Sequence, residues 1–193
     1  QYARGDVNAG YTIPFGGNVA LASRLFVGIG VPYGNSPSLP IDRMYYVGGA
    51  NSMRGWQVRT LGPGGVAKPE KTIYPSQVGD IRLEANTELR FPIAGSLRGA
   101  LFFDVGNVWM IREVTDGKTG EVTNPDAIFR FNRFYRQLGF NTGIGIRLDL
   151  GLVVIRLDWG IQLHNPNMPQ GERWIHNFKW ANTALNFGVG YPF

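Results

Sequence analysis

One periodicity governs this chain. From residue 80 to 92, Asp80, Arg82, Glu84, Asn86, Glu88 and Arg90 alternate with Ile81, Leu83, Ala85, Thr87, Leu89 and Phe91. Period-2 alternation places the two sets on opposite faces of an extended strand, whereas a helix would scatter both around its circumference. The same rule runs through residues 97–109, 138–149, 152–164 and the C-terminal stretch to Phe193, and less cleanly through 2–13 and 17–31. These seven segments carry seven arginines (Arg4, Arg24, Arg82, Arg90, Arg98, Arg147, Arg156) and seven acids (Asp6, Asp80, Glu84, Glu88, Asp104, Asp149, Asp158). All fourteen charges fall on one face. The other face is long, apolar and rich in Trp, Tyr and Phe.

A water-soluble sandwich would turn its charges outward and its apolar face into a core. A transmembrane β-barrel does the reverse, because only alternate residues meet lipid and a charge there costs roughly 2–4 kcal/mol at mid-depth. The expected fold is therefore all-β, an antiparallel transmembrane barrel spanning residues 1–193. Short links (14–16, 92–96, 150–151) alternate with long ones (32–79, 110–137, 165–180). Outer-membrane barrels have short periplasmic turns and long extracellular loops, so the C-terminus is expected on the periplasmic side. Seven strands fall short of the even number that bacterial barrels use, and the pattern is already running at residue 2. The expectation is the C-terminal part of a larger barrel; an eight-stranded barrel with one unread strand is the alternative.

Composition closes off other classes. The chain has no Cys and two His, His164 and His176, which removes thiol chemistry and leaves no metal set. No nucleophile and base stand at a recognisable spacing, so no enzyme, cofactor or metal is expected. The net charge of +5 sits outside the strands, where Arg130, Arg133 and Arg136 form a candidate extracellular basic patch for lipopolysaccharide phosphates. Nucleic acid is a poor partner for a chain with so many arginines on an inner wall. Trp56, Trp109, Trp159, Trp174 and Tyr191 are candidates for interfacial aromatics, with Trp56 set apart by its place in the 32–79 loop.

That loop is too long to be a plain connector. It contains Val47-Gly48-Gly49-Ala50-Asn51-Ser52-Met53-Arg54-Gly55-Trp56 and then Leu61-Gly62-Pro63-Gly64. A Gly-rich run with one Arg beside a Trp suggests a loop folded tightly onto something. Met53-Arg54-Gly55-Trp56 resembles the V/I-R-G-F/Y loop tip of the bacterial surface antigen family of outer-membrane assembly factors, the BamA, TamA, Sam and Toc type, with related two-partner secretion pores. Asn86-Thr87-Glu88-Leu89-Arg90-Phe91-Pro92 is similar to the family's N-x-E-x-R-x-P strand, and Phe103-Asp104-Val105-Gly106-Asn107-Val108-Trp109 to its F-x-D-x-G-N-V-W strand. Gly143 to Arg147 with Arg156 to Gly160 resembles its penultimate hairpin, although Asp149-Leu150-Gly151 replaces the usual S-P-x-G-P link. The wording of Asn51 to Gly64 is closest to TamA-like members.

The resemblance implies a barrel of about 16 strands whose loop 32–79 enters the lumen. It implies a latch of Arg54, Gly55 and Trp56 against Glu88 and Asp104. It implies an assembly or insertion factor in the bacterial outer membrane, with unfolded outer-membrane proteins as clients and periplasmic or lipoprotein partners. A polypeptide secretion pore and a small structural or adhesive barrel remain as alternatives. The last strand, Leu185 to Phe193, resembles the signal by which barrels are inserted. In the family it pairs weakly and forms a lateral seam. Gly188 and Gly190 on its inner face either weaken the strand for that purpose or relieve crowding inside the barrel.

Overall fold

A computed structural model of the chain describes residues 1–67, 77–113, 119, 122, 124–175 and 178–193. Its strands are β1 (Tyr2–Gly16), β2 (Val19–Pro32), β3 (Ile81–Ala94), β4 (Leu97–Trp109), β5 (Gly139–Asp149), β6 (Val154–His164) and β7 (Thr183–Val189). They form one antiparallel sheet in chain order, β1 to β7. Among the described residues no helix is long and apolar enough to cross a membrane.

Burial follows the alternation. On β5, Asn141, Gly143, Gly145 and Arg147 are buried while Ile144, Ile146 and Leu148 are exposed. On β7, Leu185, Phe187 and Val189 are each about two-thirds exposed. From β2 onward the sheet thus has a polar inner face that is covered and an apolar outer face that is open, the inverse of a soluble core and the arrangement lipid requires, while β1 is exposed on both faces. The inner face is covered by the protein's own long loop. The short links turn at Gly17–Asn18, Gly95–Ser96 and residues 150–153, and all three long connections lie at the opposite end of the sheet.

Two expectations need correction. The last strand stops at Val189, not at Phe193. Gly190 has φ +82°, a left-handed conformation that breaks the extended run. Tyr191 and Phe193 therefore leave the outer face. The Arg90 guanidinium lies 4.3 Å from the Tyr191 ring, and the Phe193 ring lies within 5.3–5.8 Å of Arg24, Arg54 and Arg90 on the inner side. Trp109 also fails as an interfacial residue. It is fully buried under the 110–137 connection, donates from Nε1 to Gln137 Oε1 at 2.9 Å, and meets Phe129 edge-on. Parity predicted an outward side chain, but β4 ends there and Phe129, Phe134 and Gln137 fold over the indole. Trp159 and Trp174 do lie on the outer surface, stacked on Trp180 and Phe140 respectively.

The outer face sets a test. Replacing Ile144, 55% exposed, by Arg should destabilise the full-length protein in lipid vesicles by roughly 2–4 kcal/mol. Urea unfolding measures it, and an unchanged midpoint would contradict lipid contact.

Candidate functional site

The site is built by the connection between β2 and β3. Residues 47–59 fold back as a compact loop, closed by Gly49 N–H to Trp56 O (2.8 Å), Trp56 N–H to Met53 O (3.0 Å) and Arg59 N–H to Val47 O (3.0 Å). Gly48 has φ +104°, and a Cβ there would sit 2.2 Å from Gln57 O, so no other residue fits this closure. Tyr45, Val47, Met53, Trp56 and Leu61 pack with Val108 of β4 into a small apolar core, and Trp56 is 1% exposed. This core anchors the loop to the loop end of the sheet and points its tip down the inner face.

Arg54 is at the tip and is completely buried. Its guanidinium engages Asp104 of β4 bidentately, Nε to Oδ2 at 3.0 Å and Nη2 to Oδ1 at 2.8 Å. Nη1 donates to Glu88 of β3, and the backbone N–H of Arg54 donates to Asp104 Oδ2 at 3.1 Å. Its cation lies 3.7 Å from the centre of the Phe102 ring. Register explains the convergence: Glu88 stands opposite Phe102, and Asp104 stands opposite Asn86 on one side and Asn141 on the other. Both asparagines donate to Asp104, at 2.9 Å each. A buried carboxylate that accepts this many donors is compensated for its lost water. Gly55 then passes so close to β5 that a Cβ would lie 2.6 Å from the Asn141 Cβ.

Several inner-wall residues outside the latch implied by the resemblance belong to the same network. Glu88 also accepts from Arg147 (2.9 Å) and Arg90 (2.9 Å). Arg147 and Arg156 stand directly opposite each other on β5 and β6. Like charges in that position repel, and Asp158 sits between them, 2.5 Å from Arg147 Nη1 and 3.3 Å from Arg156 Nη1. Glu84 gathers Arg24, Arg82 and the loop's Ser52 hydroxyl. Six arginines thus meet four carboxylates, and aromatic faces of Phe102, Phe26 and Tyr191 cover Arg54, Arg82 and Arg90. Parity gave the inward direction of every strand charge in this network; their convergence on the loop's Arg54 came from a tertiary approach that strand periodicity does not encode.

The remaining candidates lie elsewhere. Gly188 is on the inner face of β7, and Gly190 and Phe193 lie beyond its end. Arg130, Arg133 and Arg136 lie at the loop end of the sheet. Arg130 pairs with Glu113 at 2.7 Å, Arg133 lies 3.8 Å from Asp126, and Arg136 lies 5.6 Å from the Tyr135 ring. Two of the three are therefore partly neutralised by acids. No group of three or more metal-ligating side chains occurs among the described residues.

Removing one member of a buried ion pair orphans the others. Arg54→Ala should shift the loop towards a detached state by about a hundredfold, an effect of roughly 3 kcal/mol. Limited proteolysis within 47–59 of the membrane-embedded protein measures it. Arg54→Lys should rescue little, since an ammonium cannot span both Asp104 oxygens and Glu88. A cleavage rate equal to the parent's in the alanine variant would contradict the geometry.

The chain is similar to two BamA proteins. Over 132 residues, 66% of its length, it is 32% identical to the outer membrane protein assembly factor BamA of Neisseria meningitidis serogroup B, and the match spans 16% of that protein. Its fold matches the crystal structure of BamA from Haemophilus ducreyi lacking POTRA domains 1-3, with a TM-score of 0.64 and 18% identity over 98% of this chain and 34% of that one. It therefore spans a small part of the relatives it matches. The Omp85 superfamily domain matches residues 1–193 from end to end, and the chain belongs to the Omp85 superfamily.

Proposed function

We propose that the protein to which this chain belongs is an assembly factor of the bacterial outer membrane that inserts unfolded outer-membrane proteins. The seven strands form one side of its barrel wall, a C-terminal part of about 16 strands, with the C-terminus on the periplasmic side. The observation that carries the reading is the buried Arg54 guanidinium clipped across β3 and β4. A barrel that served only as a scaffold would gain little from placing a fully desolvated cation on a loop tip, because burying charge costs much of what pairing returns. A loop held by charge-assisted bonds, and not by an apolar plug alone, has one defined seat and can be dislodged. The Arg54–Gly55–Trp56 tip is thus a latch, Glu88 and Asp104 are its keeper, and the end of the sheet at β7 is the seam at which a client strand pairs.

The chemistry is non-enzymatic: strand exchange needs hydrogen-bonding edges and no cofactor. Lipid meets the apolar outer face. The arginines at the loop end, with exposed Phe131 and Tyr135 beside them, suit lipopolysaccharide headgroups. Periplasmic and lipoprotein partners would act at the turn end. A secretion pore would need the loop out of the lumen for polypeptide to pass, so the seated loop favours assembly.

Cells relying on Arg54→Ala protein should show lowered levels of folded outer-membrane barrels, while the heat-unfolding midpoint of the variant's own barrel changes little. Quantifying both in one strain tests the reading. Wild-type client levels would refute the latch, and a secreted polypeptide lost with normal barrel levels would indicate the secretion pore.

A further inference from the structure

The loop tip is held from two sides, and only one involves the Arg54 side chain. Its backbone carbonyls face the opposite part of the wall. Gln162 of β6 donates to Gly55 O at 2.9 Å, and Arg156 of β6 donates to Ala50 O at 2.9 Å and to the Asn51 side chain. Asn186 of β7 donates from Nδ2 to Arg54 O at 2.8 Å. The loop lies directly on the β6 backbone, where a Cβ at Gly160 would come within 2.4 Å of the same carbonyl. Gly188 clears the path on β7: a Cβ there would lie 2.5 Å from Arg156 Nε, so its absence lets the guanidinium lie across the last strand on its way to the loop.

We propose that Asn186 is a positioning residue that ties the last strand to the loop tip, so that the latch and the seam move as one unit; this rests on the assembly reading above. The physical case is the weakness of β7. Its pairing with β6 covers seven residue pairs, Ile155↔Val189 to Ile161↔Thr183, whereas β3 and β4 pair over thirteen. The chain turns out of the sheet at Gly190. A strand with so short a ladder gains most from a support outside the sheet. Asn186 supplies one because its amide donates to a carbonyl that can only accept. One Arg54 residue is therefore gripped twice, by β3 and β4 through its side chain and by β7 through its carbonyl. Withdrawing the tip removes the support of β7, and displacing β7 removes one grip on the tip.

The test is hydrogen exchange, read by mass spectrometry, of residues 183–189 in the full-length protein in lipid vesicles. Asn186→Ala, Asn186→Leu, Arg54→Ala and the Asn186→Ala/Arg54→Ala double variant are compared with the parent, alongside the rate of client insertion. Asn186→Leu keeps the side-chain shape and deletes the donor without placing a charge opposite Asp158, which guards against loss of fold. Each single variant should speed exchange of β7 by about fivefold, the effect of one lost neutral hydrogen bond. The double variant should exchange no faster than the faster single, because both changes break one connection. Unchanged β7 exchange in Asn186→Ala, or multiplicative effects in the double variant, would overturn the tether and leave Asn186 a local strand residue. Loosened, non-additive β7 exchange with unaltered client insertion would uphold the tether and refute the assembly reading instead.

Discussion

Everything on the inner wall depends on the burial of one cation. Arg54 has no access to solvent, so its charge is tolerable only if carboxylates wait for it at fixed positions. Asp104 and Glu88 wait there because β3 and β4 pair in a register that sets them near each other on the same face. Asn86 and Asn141 hold Asp104 from both neighbouring strands, so the carboxylate cannot turn away. The demand spreads outward: Glu88 needs Arg147, Arg147 needs Asp158, and Asp158 reconciles Arg147 with the opposed Arg156. Arg156 returns to the loop through Ala50 and Asn51. The network closes on itself through the loop it holds.

That closure distinguishes this wall from an ordinary polar lumen. Each carboxylate of the network serves two or more cationic or amide donors, and the surplus guanidinium charge lies against aromatic faces. Such a network is rigid when complete and costly when partly broken. It suits a part that occupies one of two arrangements over one that deforms gradually. The apolar loop core around Trp56 and Tyr45 gives adhesion, and the ion pairs give a defined seat.

The strand architecture was legible in the sequence because lipid imposes a rule that each residue obeys separately. Parity alone located Glu88, Asp104, Arg147, Arg156 and Asp158 on the inner face. It failed where lipid stops acting. Trp109 sits at the last residue of β4, under Phe129, Phe134 and Gln137 of the following connection, and Tyr191 and Phe193 follow Gly190, whose backbone ends the alternation. The meeting of Arg54 with Glu88 and Asp104 was not contained in any periodicity; it was implied by the family resemblance of Met53-Arg54-Gly55-Trp56. Asn186 and Gln162 carried no signal at all. They read as ordinary inner-face amides, and only the approach of the loop backbone gives them partners.

The most direct measurement is the protection of the Arg54 guanidinium itself. Its Nε–H, which donates to Asp104, can be followed by arginine-selective nitrogen NMR in the full-length protein in lipid, with the half-exposed Arg43 side chain as internal reference. The account predicts an Arg54 Nε–H that exchanges far more slowly than that of Arg43 and that loses its protection when Asp104 is replaced by Asn. An Arg54 signal exchanging as fast as Arg43 would mean that the loop tip is not seated on the wall, and the latch, its keeper and the tether to the last strand would fall together.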